Sequence, residues 1–152
     1  MTITTKNFGE LEIDESQTIL FLEGLPGFSE YKNFVLLDND DDTPFCYLQS
    51  VDDGELAFIL MDAFQKYTDY APEIDPSDIS TLGEYTDETK SDFLIYNVVV
   101  LPQDVKKMSV NLLAPVIINQ KLRKGQQVIA RNADQKAYTV HHLVFDEGDI
   151  TC

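Results

Sequence analysis

Residues 56–61 read Leu56-Ala57-Phe58-Ile59-Leu60-Met61, an apolar run closed by Glu55 on one side and Asp62 on the other. A run this short, bounded by polar residues, has the length of a strand, and its lack of alternation predicts apolar neighbours on both faces. The pattern recurs outward in both directions. Further candidate strands occupy residues 10–14, 18–22, 34–38, 45–50, 93–101, 110–113, 116–119, 126–130 and 138–145. Where a run does alternate, as in Glu10-Leu11-Glu12-Ile13-Asp14, Leu11 and Ile13 share one face and the three acids the other.

Turn residues punctuate these runs. In Leu25-Pro26-Gly27-Phe28 the proline sits at the second position and the glycine at the third, where a type II turn needs positive φ. Lys124-Gly125 reads as a hairpin connection. Pro115, lacking an amide hydrogen, marks an edge, a bulge or a corner. One short helix is expected, with Asp75 as N-cap, Pro76 at the first position, Ile79 and Leu82 facing inward, and Gly83 as the stop. Residues 81–91 read as a mobile polar loop. The chain of 152 residues, without repeat or linker, is expected to fold as one domain over residues 1–152, mainly β, with about ten short strands and one short helix.

Charge narrows the function. The chain carries 27 Asp and Glu against 11 Lys and Arg, a net charge of −16. That balance argues against direct contact with nucleic acid or an anionic bilayer, both of which require a cationic footprint. The field is polarised, because 22 acids and 4 bases precede Phe93 whereas 5 acids and 7 bases follow from it onward. A charged partner is therefore expected to be basic. Cys46 and Cys152 suggest no disulfide framework, no apolar leader opens the chain, and no run reaches the ~18 apolar residues of a membrane span. A cytoplasmic location is expected.

The residues that could carry chemistry point away from an enzyme. His141 and His142 are adjacent, so on a strand their rings project to opposite faces and do not share a metal. Asp40-Asp41-Asp42 lacks the glycine and terminal glutamate of a calcium loop. Phosphate loop, nucleophile elbow, dinucleotide fingerprint and paired Cys-x-x-Cys are all missing from the sequence. A carboxylate hydrolase would need a convergent pocket holding one carboxyl of raised pKa. The expectation is no catalytic residue, no metal, no cofactor and no small-molecule substrate.

Read in order, the motifs resemble those of the flagellar assembly factor FliW family. The resemblance rests on Phe8-Gly9-Glu10, on Glu23-Gly24-Leu25-Pro26-Gly27-Phe28 and on Phe34-Val35-Leu36-Leu37. It continues through Phe45-Cys46-Tyr47-Leu48-Gln49-Ser50-Val51-Asp52, Leu56-Ala57-Phe58, Asn111-Leu112-Leu113-Ala114-Pro115-Val116-Ile117-Ile118-Asn119 and Gly125-Gln126-Gln127-Val128-Ile129. Two places depart from it: His141-His142-Leu143 stands where the family usually has Arg-His-Pro, and Asp62-Ala63-Phe64 where it often has Asp-Pro-Phe. The resemblance implies a small β-barrel-like domain that binds the RNA-binding translational repressor CsrA, relieving repression of flagellin messenger RNA, and binds flagellin as alternate partner. The protein-binding candidates are Asp40, Asp41, Asp42, Asp52 and Asp53 for the acidic approach, with Leu25, Pro26, Phe28, Asn111 and Asn119 from the resembling motifs. The alternative is a dedicated cytoplasmic flagellin chaperone that does not bind the repressor.

Overall fold

The computed structural model describes residues 1–38, 43–132 and 138–145. The chain opens with an antiparallel hairpin, β1 (Thr2–Thr5) against β2 (Gly9–Glu12), the first strand of which was not expected. The remaining strands form one sheet: β3 (Ile19–Leu20), β4 (Asn33–Asp38), β5 (Phe45–Ser50), β6 (Ala57–Met61), β7 (Phe93–Val100), β8 (Ser109–Val110), β9 (Val116–Asn119), β10 (Lys124–Gln127) and β11 (His142–Leu143). Seven of them close on themselves in the order β3-β4-β5-β6-β7-β9-β10, with β10 returning to β3 in parallel through Lys124 and Leu20. This is a mainly β barrel, and closure removes most of the open edges that a flat sheet would expose.

The barrel forks at β7. Its first half, Phe93 to Tyr96, pairs with β9, whereas Val99 and Val100 pair with β8, which in turn carries β11. Pro115 lies in the connection between β8 and β9, just before β9 begins, where its lack of an amide hydrogen breaks no ladder. Asn97, fully buried at the fork, bridges the two halves. Its Nδ2 donates to the carbonyl of Asn111 at 2.8 Å and to the Tyr70 hydroxyl at 3.0 Å, and that hydroxyl donates to the Leu112 carbonyl at 2.8 Å. These three bonds fix one arrangement, because breaking one inside the core would leave its donor unpaired at a cost of about 1–3 kcal/mol.

The barrel interior is filled by Ile19, Phe21, Phe34, Leu48, Leu60, Val116 and Ile118. Phe21 and Phe34 meet edge to face at 5.3 Å. At the closing seam Gly125 faces the Phe21 ring: a Cβ there would lie 2.7 and 2.8 Å from Cε1 and Cε2, and closer still to Cζ. A second cluster lies under β8 and β11, and a third joins the barrel to Ile79 and Leu82.

Two expectations need correction. Lys124 and Gly125 lie inside β10, paired with Asn119 and Ile118, so they do not form the hairpin connection. The turn is residues 120–123, held because Asn119 Oδ1 accepts the amides of Lys121 and Leu122, while Arg123 takes the left-handed φ of 55°. The expected helix forms at Pro76–Leu82 with Asp75 accepting the Ser77 amide and Gly83 closing it at φ 96°, yet its hydrogen bonding is 3-10 and it kinks at Ile79. The polar stretch beyond it is locally bonded, with the Thr89 hydroxyl donating to the Glu84 carbonyl and Tyr85 stacked edge to face on Phe93. A single α-helical turn, α1 (Ala63–Lys66), follows β6, with Asp62 as its cap.

A charge-free groove and an acidic exterior

Beside the fork lies a groove of about 440 Å³. The Leu25-Pro26 corner forms one wall. Leu25 is buried and the turn closes with the Phe28 amide donating to the Leu25 carbonyl at 2.7 Å, while Gly27 takes φ 84°. The type II geometry read from the sequence thus projects Pro26 outward from an anchored leucine. Phe58 of β6 forms part of the floor, buttressed by Phe28 edge to face at 5.2 Å. Val98 and Val100, two apart on β7, share the face that lines the groove.

The opposite wall is the chain beyond β10. The amides of Val128 and Ala130 donate to the carbonyls of Pro115 and Leu113 at 3.0 and 2.8 Å. Both side chains are buried, so alternation turns Gln127 and Ile129 outward into the groove. Gln127 Nε2 is tied to the Ala114 carbonyl at 2.9 Å. Val140 and His141 complete the lining. Ile129 is 63% exposed, Val100 50% and Val140 44%. None of the lining residues is Asp, Glu, Lys or Arg, in a chain that holds 38 of them. A concave, uncharged, partly exposed apolar surface on such a protein is suited to an apolar segment of a partner.

The candidates divide between this groove and other places. Leu25, Pro26 and Asn111 line it together, and Phe28 supports it through Phe58. Asn111 Oδ1 also accepts the amides of Leu113 and Ala114, shaping the groove's rim. Asn119 is buried elsewhere, with Nδ2 donating to the Leu82 carbonyl at 2.7 Å and Oδ1 holding the hairpin turn. Asp52 and Asp53 sit on the loop after β5. Their amides donate to Ser50 Oγ, Asp52 Oδ2 accepts from Asn33 at 3.3 Å, and Asp53 Oδ1 accepts the Glu55 amide. Beneath that loop, Gln49 Nε2 donates to the Ser50 and Leu56 carbonyls at 3.0 Å, so the two acids are presented on a fixed backbone. Asp40, Asp41 and Asp42 lie outside the described residues.

Ile129, Val100, Val140 and Phe58 escaped the sequence reading. Phe58, Val100 and Ile129 belong to apolar runs that read as core and Val140 to an expected strand, and only the tertiary placement leaves them open. The histidines separate as their adjacency requires: His141 faces the groove, and His142 packs edge to face on Tyr67 at 5.1 Å. Among the described residues no cluster of three or more His, Cys, Asp and Glu is placed to hold a metal. Burial, with a smaller contribution from Asp38, pushes the Cys46 thiol up to about 12, so it stays protonated and poorly nucleophilic. Among the described residues no helix is long and apolar enough to cross a membrane.

Fold and site together define a small closed-barrel protein with an uncharged apolar groove set in an acidic exterior. A family model described as FliW protein matches residues 2–144. With that match over nearly the whole chain, the protein belongs to the FliW family of flagellar assembly factors. The flagellar assembly factor FliW of Thermoanaerobacter pseudethanolicus is 40% identical over 97% of this chain and 95% of its own length. That of Alkaliphilus metalliredigens is 37% identical over 97% of this chain and 88% of its own. A crystal structure of a flagellar assembly factor FliW superposes with a TM-score of 0.84 at 36% identity, covering 97% of this chain and 99% of that one.

Proposed function

We propose that this protein is a non-catalytic cytoplasmic regulator of flagellar assembly that binds the repressor CsrA, relieving repression of flagellin messenger RNA, and binds flagellin as its alternate partner. The observation that carries the reading is the contrast of two surfaces on one small barrel. One is the apolar groove without a charged residue in its lining; the other is an exterior dominated by acids. The groove suits an apolar flagellin segment. The acids, including Asp52, Asp53 and the Asp40-Asp41-Asp42 run, suit a repressor whose RNA-binding surface is basic, and a bound acidic domain would repel RNA phosphates.

Isothermal titration against CsrA and then flagellin, with a competition step and at two salt concentrations, tests both halves. CsrA affinity is expected to fall steeply as salt rises, since the Debye length shrinks from about 10 Å at 0.1 M. Flagellin affinity is expected to change little. Reversing the charges of Asp52 and Asp53, or of Asp40, Asp41 and Asp42, is expected to slow CsrA association at low salt, and an unchanged rate removes the reversed residues from the interface. The groove by itself also accommodates a dedicated flagellin chaperone. Flagellin binding without any CsrA binding would establish that reading instead.

A further inference from the structure

The stretch that walls the groove on the β10 side also presents a free edge. Val128 and Ala130 continue the β10–β9 register, their amides donating to the carbonyls of Pro115 and Leu113. In an antiparallel ladder, residues bonded to one neighbour alternate with residues whose amide and carbonyl point the other way. Gln127 and Ile129 therefore direct their main-chain groups away from residues 113–116, toward the edge that β3 meets only through Leu20 and Lys124. Among the described residues nothing bonds the main-chain amide or carbonyl of either on that edge.

The edge is tethered at both ends. The Arg123 carbonyl accepts the Leu20 amide and the Arg131 amide donates to the Glu73 carbonyl, each at 2.9 Å. Between these tethers runs an open trough of about 800 Å³, lined by residues 126–131 in unbroken succession and by Asp78. Consecutive residues line it because the chain presents its backbone there, and side chains alone would alternate. The lysine or proline that commonly guards an edge is missing from Gln126-Gln127-Val128-Ile129-Ala130. At ~3.3 Å per residue the interval from Gly125 to Arg131 admits a partner strand of about four residues.

Chemistry chooses the occupant. Amides and carbonyls repeating at a two-residue spacing match the main chain of another strand, a repeat that neither a lipid nor a small polar ligand offers. Asp78 and Arg131, the charged residues of the lining, neutralise each other through two hydrogen bonds, and the adjoining groove carries no charge. Side chains that meet this surface are therefore uncharged. A second copy of the chain would bring −16 against −16, so like charge opposes self-pairing. We propose that residues 126–130 form a docking edge to which an uncharged, extended segment of a partner protein adds as a β-strand, its main chain bonded to Gln127 and Ile129 and its alternate side chains laid against the groove. The proposal rests on the reading of the groove as the seat of an apolar segment, and adds the conformation and the bonds by which that segment is held.

The test uses the full chain and a fluorescein-labelled hexapeptide of alternating Thr and Val, followed by anisotropy. Two further versions of the peptide carry N-methyl groups, one on every Thr and the other on every Val. One set of methyls faces the edge and is expected to weaken binding by at least about tenfold, while the other faces solvent and leaves binding within about twofold of the unmethylated peptide. Ile129→Pro removes an amide hydrogen that no bond of the free protein uses, and is expected to weaken the unmethylated peptide more than Ile129→Ala, which removes side chain alone. Hydrogen exchange at the Gln127 and Ile129 amides is expected to slow when the peptide binds. If Ile129→Pro fails to fold, the two methylated peptides carry the test. Equal affinity for both methylated peptides overturns the proposal, as does an unmethylated peptide that does not bind. So does a doubled mass in light scattering that reverts in Ile129→Pro, which would assign the edge to a second copy of the chain. Flagellin capture lost in Ile129→Ser, with both methylated peptides binding alike, keeps the groove reading and sinks the strand edge alone. No flagellin binding, with the difference between the methylated peptides intact, removes the flagellin reading and keeps the edge.

Discussion

The seam where β10 returns to β3 and the groove beside the fork are built from the same kinds of side chain, and they use them in opposite ways. At the seam Phe21 is wholly buried and Gly125 leaves room for nothing larger than hydrogen. At the groove Ile129 stands in solvent although its neighbours Val128 and Ala130 are buried, and Val140 is exposed as well. The seam stabilises the barrel by filling space to the density of a solid. The groove leaves apolar area of Ile129, Val100 and Val140 uncovered. Substitutions should therefore divide cleanly, with seam changes read in unfolding and groove changes read in binding.

Phe21→Ala should show the largest effect, about 3–5 kcal/mol in urea unfolding, because a fully buried ring is removed from a closed interior. Gly125→Ala should follow at about 1–3 kcal/mol, since the new methyl meets ring atoms that cannot retreat within a packed core. A loss smaller than this would mean that the seam is looser than its geometry. Ile129→Ser reverses the pattern: unfolding should stay within about 0.5 kcal/mol of the parent while flagellin capture in the titration falls sharply. A large stability loss there would erase the distinction between the two regions.

The smallest effect should come from the exposed clamp outside both. Arg131 Nε and Nη2 donate to the two Asp78 oxygens at 2.8 and 2.7 Å, and this bonding holds the Asp78 carboxyl below its ordinary value of 3.8. A carboxyl whose pKa is lowered by folding stabilises the fold above its ordinary value and loses that contribution as pH falls through the lowered one. The parent should therefore lose stability on acidification below about pH 4 more steeply than Asp78→Asn, as read by urea unfolding across the acid range. Salt should blunt the difference, since the pair is open to solvent.

Much of the barrel was legible because short apolar runs and their punctuation are local signals. Strands β5 and β9 fall on the expected residues 45–50 and 116–119, and Leu25-Pro26-Gly27-Phe28 turns as its proline and glycine require. The 120–123 turn was not legible, because it depends on the Asn119 side chain and on an arginine accepting a left-handed φ in place of a glycine. Nor was the fork, which rests on Asn97 reaching across to Asn111 and Tyr70. The groove is partly anticipated by Leu25, Pro26 and Asn111. Its most exposed members read as core because nothing local distinguishes a valine that lacks a lid from one that has it.

The seam also sets a clock. Its paired residues, Leu20 and Lys124, lie about a hundred positions apart, so at a synthesis rate of about 5–20 residues per second the first waits on the order of 5–20 s for the second to leave the ribosome. The groove waits longer still, because its far wall is contributed by Ile129, Val140 and His141. A nascent or truncated chain ending before this stretch lacks the groove's far wall, so the groove is complete only near the close of synthesis.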